Sequence, residues 1–87
     1  MGRNIKLLIK IISGTSDRNI AFNDICRLLK EFGFNERIKG SHHIYTKNEI
    51  QEILNIQPKG KMAKPYQVKQ FRNLIIKYKL EKELNDD

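Results

Sequence analysis

The chain's only two imidazoles, His42 and His43, sit side by side after a Gly-Ser pair in the stretch IKGSHHIYTK, residues 38–47. Three lysines, Lys59, Lys61 and Lys64, crowd the stretch PKGKMAK just ahead of Pro65. A solvent-exposed imidazole takes or gives a proton near neutral pH. Lysines placed before a helix start add to backbone N–H groups and a helix dipole that already favour an anion. The two groups together suit one chemistry: holding a phosphodiester backbone while a proton moves during attack of a ribose 2′-OH on the phosphate, with His42 or His43 as general acid or base. Such a reaction requires no metal. A solvated, lysine-rich loop and a hydrogen-bonded strand-end histidine are the plain alternatives.

The histidines cannot act as a side-by-side pair, because successive strand residues point to opposite faces. His42 shares a face with Ile44 and Thr46, and His43 with Tyr45. If Tyr45 packs inward, His42 is exposed; if Ile44 packs inward, His43 is. Residue type leaves both arrangements open. With opposed imidazoles and no acidic cluster beside them, no metal site is expected. Cys26 is the lone cysteine, so neither a disulfide nor a cysteine-based zinc site is expected. It reads as core filler, a buried thiol being a poor nucleophile.

These groups must be positioned by the surrounding elements. Ile5, Leu8, Ile9 and Ile12 recur at helical spacing and predict a helix from Arg3 to Ile12, stopped by SGTSD at residues 13–17 and packed to bury its isoleucines. Phe22, Ile25, Cys26, Leu29 and Phe32 predict a second helix, with Asp24 near its N-terminus and Gly33 as its cap. Three short strands are expected next, Asn35 to Lys39, His42 to Lys47 and Glu52 to Gln57. Gly40-Ser41 and Asn48-Glu49 are the turns between them, and links this short make the strands antiparallel. PKGKMAK reads as a loop, and Pro65 opens a last helix whose inner stripe is Val68, Phe71, Leu74, Ile75 and Tyr78. The order predicts an α+β, two-layer domain: a three-stranded antiparallel sheet packed on two helices, plus an extra N-terminal helix, with one sheet face open to a ligand.

Eighty-seven residues suffice for one compact domain over residues 1–87, with a core region at 19–79, and not for two. The formal charge is +7. Between residues 34 and 80 ten basic residues face three acidic ones, whereas residues 81–87 carry one lysine and four acids. A positive field over the middle of the chain captures polyanions, nucleic acid first among them. No apolar run approaches a membrane span. With a single cysteine, this points to the reducing cytoplasm, with no membrane partner.

GSHHIY at residues 40–45, preceded by LLKEFGF at 28–34 and followed by KPYQVKQFRNLI at 64–75, resembles the HicA toxins of prokaryotic type II toxin–antitoxin pairs. The likeness runs from about Ile5 to Tyr78 and includes the SGTSD joint of members with an added N-terminal helix. The resemblance implies a fold like the double-stranded RNA-binding domain, an mRNA interferase (endoribonuclease) activity, and a HicB-like antitoxin as partner. It implies no cofactor. The family's functional histidine directly follows Gly-Ser, with the aromatic three residues later packed inward; here those are His42 and Tyr45. KMAK at 61–64 resembles the lysine cluster that opens the last helix of double-stranded RNA-binding domains and meets phosphates. Many shorter members carry a second histidine after the proline that ends the third strand. Here Lys59 and Gly60 follow Pro58, which leaves one imidazole, with Lys or Arg stabilising the developing charge.

The expected site is therefore His42 as the catalytic group, with Lys39, Ser41, Lys47, Lys59, Lys61 and Lys64 binding RNA. Two rivals belong to other classes. In one, the lysines bind RNA and nothing is cleaved; in the other, the basic surface only meets an acidic protein partner.

Overall fold

The computed structural model describes residues 2–84; Asp86 and Asp87, at the end of the acidic tail, lie outside them. α1 (Arg3–Ser13) closes at Gly14, whose φ of 72° is a left-handed value open to glycine at little cost. Its buried stripe is Asn4, Leu7, Leu8 and Ile11. This corrects the expected stripe of Ile5, Leu8, Ile9 and Ile12, since Ile9 is 52% and Ile12 40% exposed. The helix is apolar around much of its circumference, so its spacing permits two stripes about 100° apart, and the docking at its C-terminus selects one. Arg72 of the last helix donates to the Ile11 carbonyl at 3.2 Å and grips Asp17 with two bonds of 2.7 and 3.2 Å. One planar guanidinium thus ties α1, the 3₁₀ turn Asp17–Asn19 and the last helix together.

α2 (Phe22–Glu31) buries Phe22, Ile25, Cys26, Leu28 and Leu29. It ends in a Schellman turn: Phe34 N–H donates to the Leu29 carbonyl at 3.1 Å and Gly33 N–H to the Lys30 carbonyl at 2.9 Å, with Gly33 at φ 88°. The three antiparallel strands follow in the order β1-β2-β3. β1 (Asn35–Lys39) and β2 (His42–Lys47) are joined by Gly40-Ser41, with positive φ at Gly40 alone, the pattern of a type II′ hairpin turn. β3 spans Ile50–Ile56, starting earlier than the expected Glu52 because the tight Asn48-Glu49 link lets Ile50 pair with Lys47 and bury its side chain.

PKGKMAK is not an open loop. Pro58–Lys59 (β4) and Met62–Ala63 (β5) form a small antiparallel hairpin. Its β5 strand is fastened to the entry of α2, where Phe22 N–H donates to Lys61 O at 3.0 Å and Ala63 N–H to Ile20 O at 2.9 Å. Ala63 is buried, which a solvated loop would not permit. α3 (Pro65–Tyr78) then buries Gln67, Val68, Phe71, Leu74 and Ile75. Phe32 and Phe71 meet edge to face at 6.0 Å in the layer between sheet and helices. Among the described residues no helix is long and apolar enough to cross a membrane.

The outer end of α3 is clasped to β3 by charge. Glu52 accepts from Lys77 Nζ at 2.8 Å and from the Tyr78 hydroxyl at 2.6 Å. The Lys77 ammonium first, and the Tyr78 hydroxyl second, hold the Glu52 carboxyl down to about 2. An unfolded Glu titrates near about 4.3, so this clasp stabilises the fold above that pH and is lost as pH falls toward about 2. The thermal midpoint is expected to drop between pH 5 and 2.5, and less steeply in Glu52→Gln (circular dichroism melts at each pH).

Candidate nucleic-acid interface

Of the two arrangements open to the histidine pair, β2 adopts the one with Tyr45 fully buried, His43 partly buried beside it, and His42 exposed on the other face. Polar contacts on the inner side hold that choice. The Tyr45 hydroxyl donates to Glu36 Oε2, Glu36 Oε1 pairs with Lys30 at 2.9 Å, and His43 Nδ1 lies 3.5 Å from Glu36 Oε2. The Tyr45 hydroxyl is the main reason the Glu36 carboxyl sits below the ordinary carboxylate range, with Lys30 and His43 adding to it. Burial pushes both the Tyr45 phenol and the Cys26 thiol up, keeping them protonated. The His43 ring meets Phe22 edge-on at 4.8 Å. Cys26, Glu36 and His43 bring a thiol, a carboxylate and an imidazole within 4.8 Å of one another, a juxtaposition that spacing along the chain conceals. Glu36 there already accepts from Tyr45 and Lys30, so the trio works as an internal brace between α2 and the sheet.

On the open face His42 is the centre of a directed hydrogen-bond chain. Lys64, the residue before α3, donates Nζ to Gln57 Oε1 at 3.0 Å. An ammonium only donates, so Gln57 must present its oxygen to Lys64 and its NH₂ to the imidazole. That NH₂ lies 2.9 Å from His42 Nε2 and 3.3 Å from Nδ1. A donor this near to both ring nitrogens lies over the ring and not along either lone pair; Nδ1 lies 3.1 Å from Asn55 Oδ1, an oxygen that only accepts, so Nδ1 carries the proton and Nε2 keeps its lone pair. Asn55 thereby sets the tautomer of the imidazole, and Gln57, oriented by Lys64, covers the ring. ¹⁵N NMR of wild type should show a single neutral form protonated at Nδ1, and Asn55→Ala should show both tautomers in exchange.

The floor beneath this chain is Gln67, a buried carboxamide on the first turn of α3. Its oxygen accepts from Gln57 N–H at 2.9 Å and its NH₂ donates to the Asn55 carbonyl at 2.8 Å. β3 diverges into the β4–β5 hairpin just here, and Gln67 takes the place of the ladder bonds that the strand end lacks.

The other expected residues divide. Lys39 is exposed and pairs in register with His42, and Ser41 is exposed in the turn between them. Lys64 reaches the imidazole through Gln57, while Lys59 and Lys61 are exposed around the hairpin. Lys47 departs from the expectation. Its side chain turns to the helix side at the far end of β2, 19% exposed, with Nζ 3.5 Å from Glu83. Alternation along β2 puts Lys47 on the same side as Tyr45 and His43. The residues that sequence reasoning missed are Arg37, Asn55, Gln57, Gln67 and Arg18. Strand parity and register would have found Arg37, opposite Ile44 on the open face, and Asn55, opposite Ile44 from the other side. Arg18 joins Lys59 at a cavity of about 480 Å³ lined also by Met62, Ala63 and Pro65. A larger, apolar cavity of about 710 Å³ lies between α1 and the end of α3 and contains none of these residues.

A three-stranded antiparallel sheet with helices on one face, and an imidazole and lysines toward the other, defines a domain of the double-stranded RNA-binding type. A family model described as the HicA toxin of bacterial toxin-antitoxin matches residues 22–78, well over half the chain, and the chain belongs to that family. It is thus built as the toxin component of a toxin–antitoxin pair. α1 precedes the matched stretch. No curated protein and no solved structure matches the chain.

Proposed function

We propose that this chain is an endoribonuclease of the mRNA interferase kind, cleaving RNA through His42 as general base without a metal. The observation that carries the proposal is the placement of an exposed imidazole linked to the ammonium of Lys64 by the Gln57 carboxamide over its ring. A phosphate drawn to Lys64 competes with Gln57 for that ammonium and loosens the carboxamide from the ring. Nε2 then takes the proton of a ribose 2′-OH as its oxygen attacks the adjacent phosphorus. The 5′ oxygen leaves with the electron pair of the broken P–O bond and takes a proton from solvent. Lys39, Arg37 and Lys64 offset the charge that builds on the phosphate oxygens, and Ser41 sits where it can orient them. Lys59, Lys61 and Arg18 extend the basic track past the hairpin, toward a strand longer than the reacting nucleotide.

A HicB-like antitoxin fits this reading as an acidic partner that covers His42 and the lysines. A second reading, an RNA-binding module without hydrolysis, is favoured by one contact: the Gln57 carboxamide covers the ring that a general base must present to its substrate. Incubating long single-stranded RNA with the purified chain in EDTA separates the two. Cleavage is expected; retarded but intact RNA would favour the binding module.

A further inference from the structure

Beside His42, along the edge where β3 meets the start of α3, runs a cleft of about 240 Å³ whose lining differs in kind from the rest of this basic surface. It consists of four carboxamides, Asn55, Gln57, Gln67 and Gln70, together with Ile53 and the phenol of Tyr66. None of them is charged. In a chain of net charge +7, a patch free of lysine and arginine is poorly suited to phosphate. Neutral amides instead offer a donor and an acceptor side by side, the pattern that pairs with the edges of nucleobases. Tyr66, in the first turn of α3, leaves 57% of its surface to solvent, and Ile53 on β3 leaves 66%. Both are apolar surfaces that a planar ring would cover, and an aromatic side chain is the usual platform on which an unpaired RNA base stacks.

The cleft is also built before any ligand arrives. Gln67 is buried and held at both ends by the β3 backbone, and its NH₂ lies 3.4 Å from the Tyr66 hydroxyl. Two of its walls, Asn55 and Gln57, are the residues that contact the His42 ring. A ligand in the cleft therefore lies one side chain from the imidazole.

We propose that this cleft is a nucleobase subsite: it holds one base of the strand whose phosphate lies at His42, stacked on Tyr66 and read by the carboxamides of Gln70 and Asn55. The proposal rests on the RNA-cleaving reading above and assigns the part of the surface that gives it a base preference. A base engaging Gln57 would also draw that carboxamide off the His42 ring, so that filling the subsite uncovers the general base.

The test uses short 2′-O-methyl oligonucleotides, which carry no attacking hydroxyl, and their abasic counterparts with the same backbone. Wild type is expected to bind the base-bearing strand about tenfold more tightly than the abasic one, from the worth of one base stacked on an aromatic ring. Tyr66→Ala should erase that ratio while leaving abasic binding and its salt dependence unchanged; Tyr66→Phe, which keeps the ring, should retain it. Tyr66 is exposed, and circular dichroism would verify that both variants fold. Gln70→Ala should in addition alter which bases flank the cleavage sites of a long RNA. An unchanged ratio in Tyr66→Ala, with abasic binding intact, overturns the subsite and leaves the RNA reading standing. Loss of binding to both strands by wild type overturns both.

Discussion

His42→Ala is expected to keep the wild-type fold and to cleave RNA about 10²–10⁴-fold more slowly, the range over which a positioned general base acts. The fold should survive because the ring is exposed, and its two partners, Asn55 and Gln57, can turn their amides to water. His43→Ala makes the informative contrast. That ring packs against Phe22 and faces Glu36 on the inner side of the sheet, so its loss should lower the melting temperature and leave the rate per folded molecule close to wild type. Two adjacent residues of one type would then separate into one that acts on substrate and one that braces the domain. Cleavage rates by gel, with melts by circular dichroism, measure both effects.

Gln67→Leu is expected to destabilise the fold by about 1–3 kcal/mol, since it removes two hydrogen bonds, each worth about 0.5–1.5 kcal/mol. Leucine fills a similar volume, so packing is largely kept. What disappears is the acceptor for Gln57 N–H and the donor to the Asn55 carbonyl. Urea unfolding of wild type and variant gives the difference directly, and Gln67→Glu, which preserves the acceptor, should recover part of it. Both orphaned groups belong to residues that contact His42. Cleavage by Gln67→Leu should accordingly fall even at temperatures where the variant is fully folded, whereas a purely structural role predicts unchanged cleavage by the folded fraction.

The elements were largely legible in the sequence because their signals are local. Helical spacing in Phe22 to Phe32, a two-residue Gly-Ser turn and a proline before the last helix each name their own structure. The inner stripe of α1 was not legible, since a helix apolar on several sides offers more than one face and the choice is made by Arg72, far along the chain. The lysine-rich stretch hid a hairpin for a related reason: its partner, the entry to α2, lies some forty residues earlier. Within the site, the histidine pair and the lysines were visible as chemistry-bearing types. The orientation of the pair was open from periodicity and followed only from the resemblance. Gln57, Gln67 and Asn55 carry no such signal, because a carboxamide acquires meaning only from what it touches. Lys47 shows the converse. Its charge suggested a nucleic-acid contact, but it shares the strand parity of Tyr45, and alternation turns it to the helix side, where it meets Glu83.

Activation of a ribose 2′-OH by His42 would leave a chemical mark on the RNA it cleaves. The measurement that tests it most directly is the chemistry of the ends left on RNA cleaved in EDTA, with the His42→Ala protein prepared in parallel as the control for contaminating nucleases. Wild type is expected to leave 2′,3′-cyclic phosphate and 5′-hydroxyl ends, and the variant none. Ends bearing 5′-phosphate and 3′-hydroxyl, or equal cleavage by the two proteins, would contradict it.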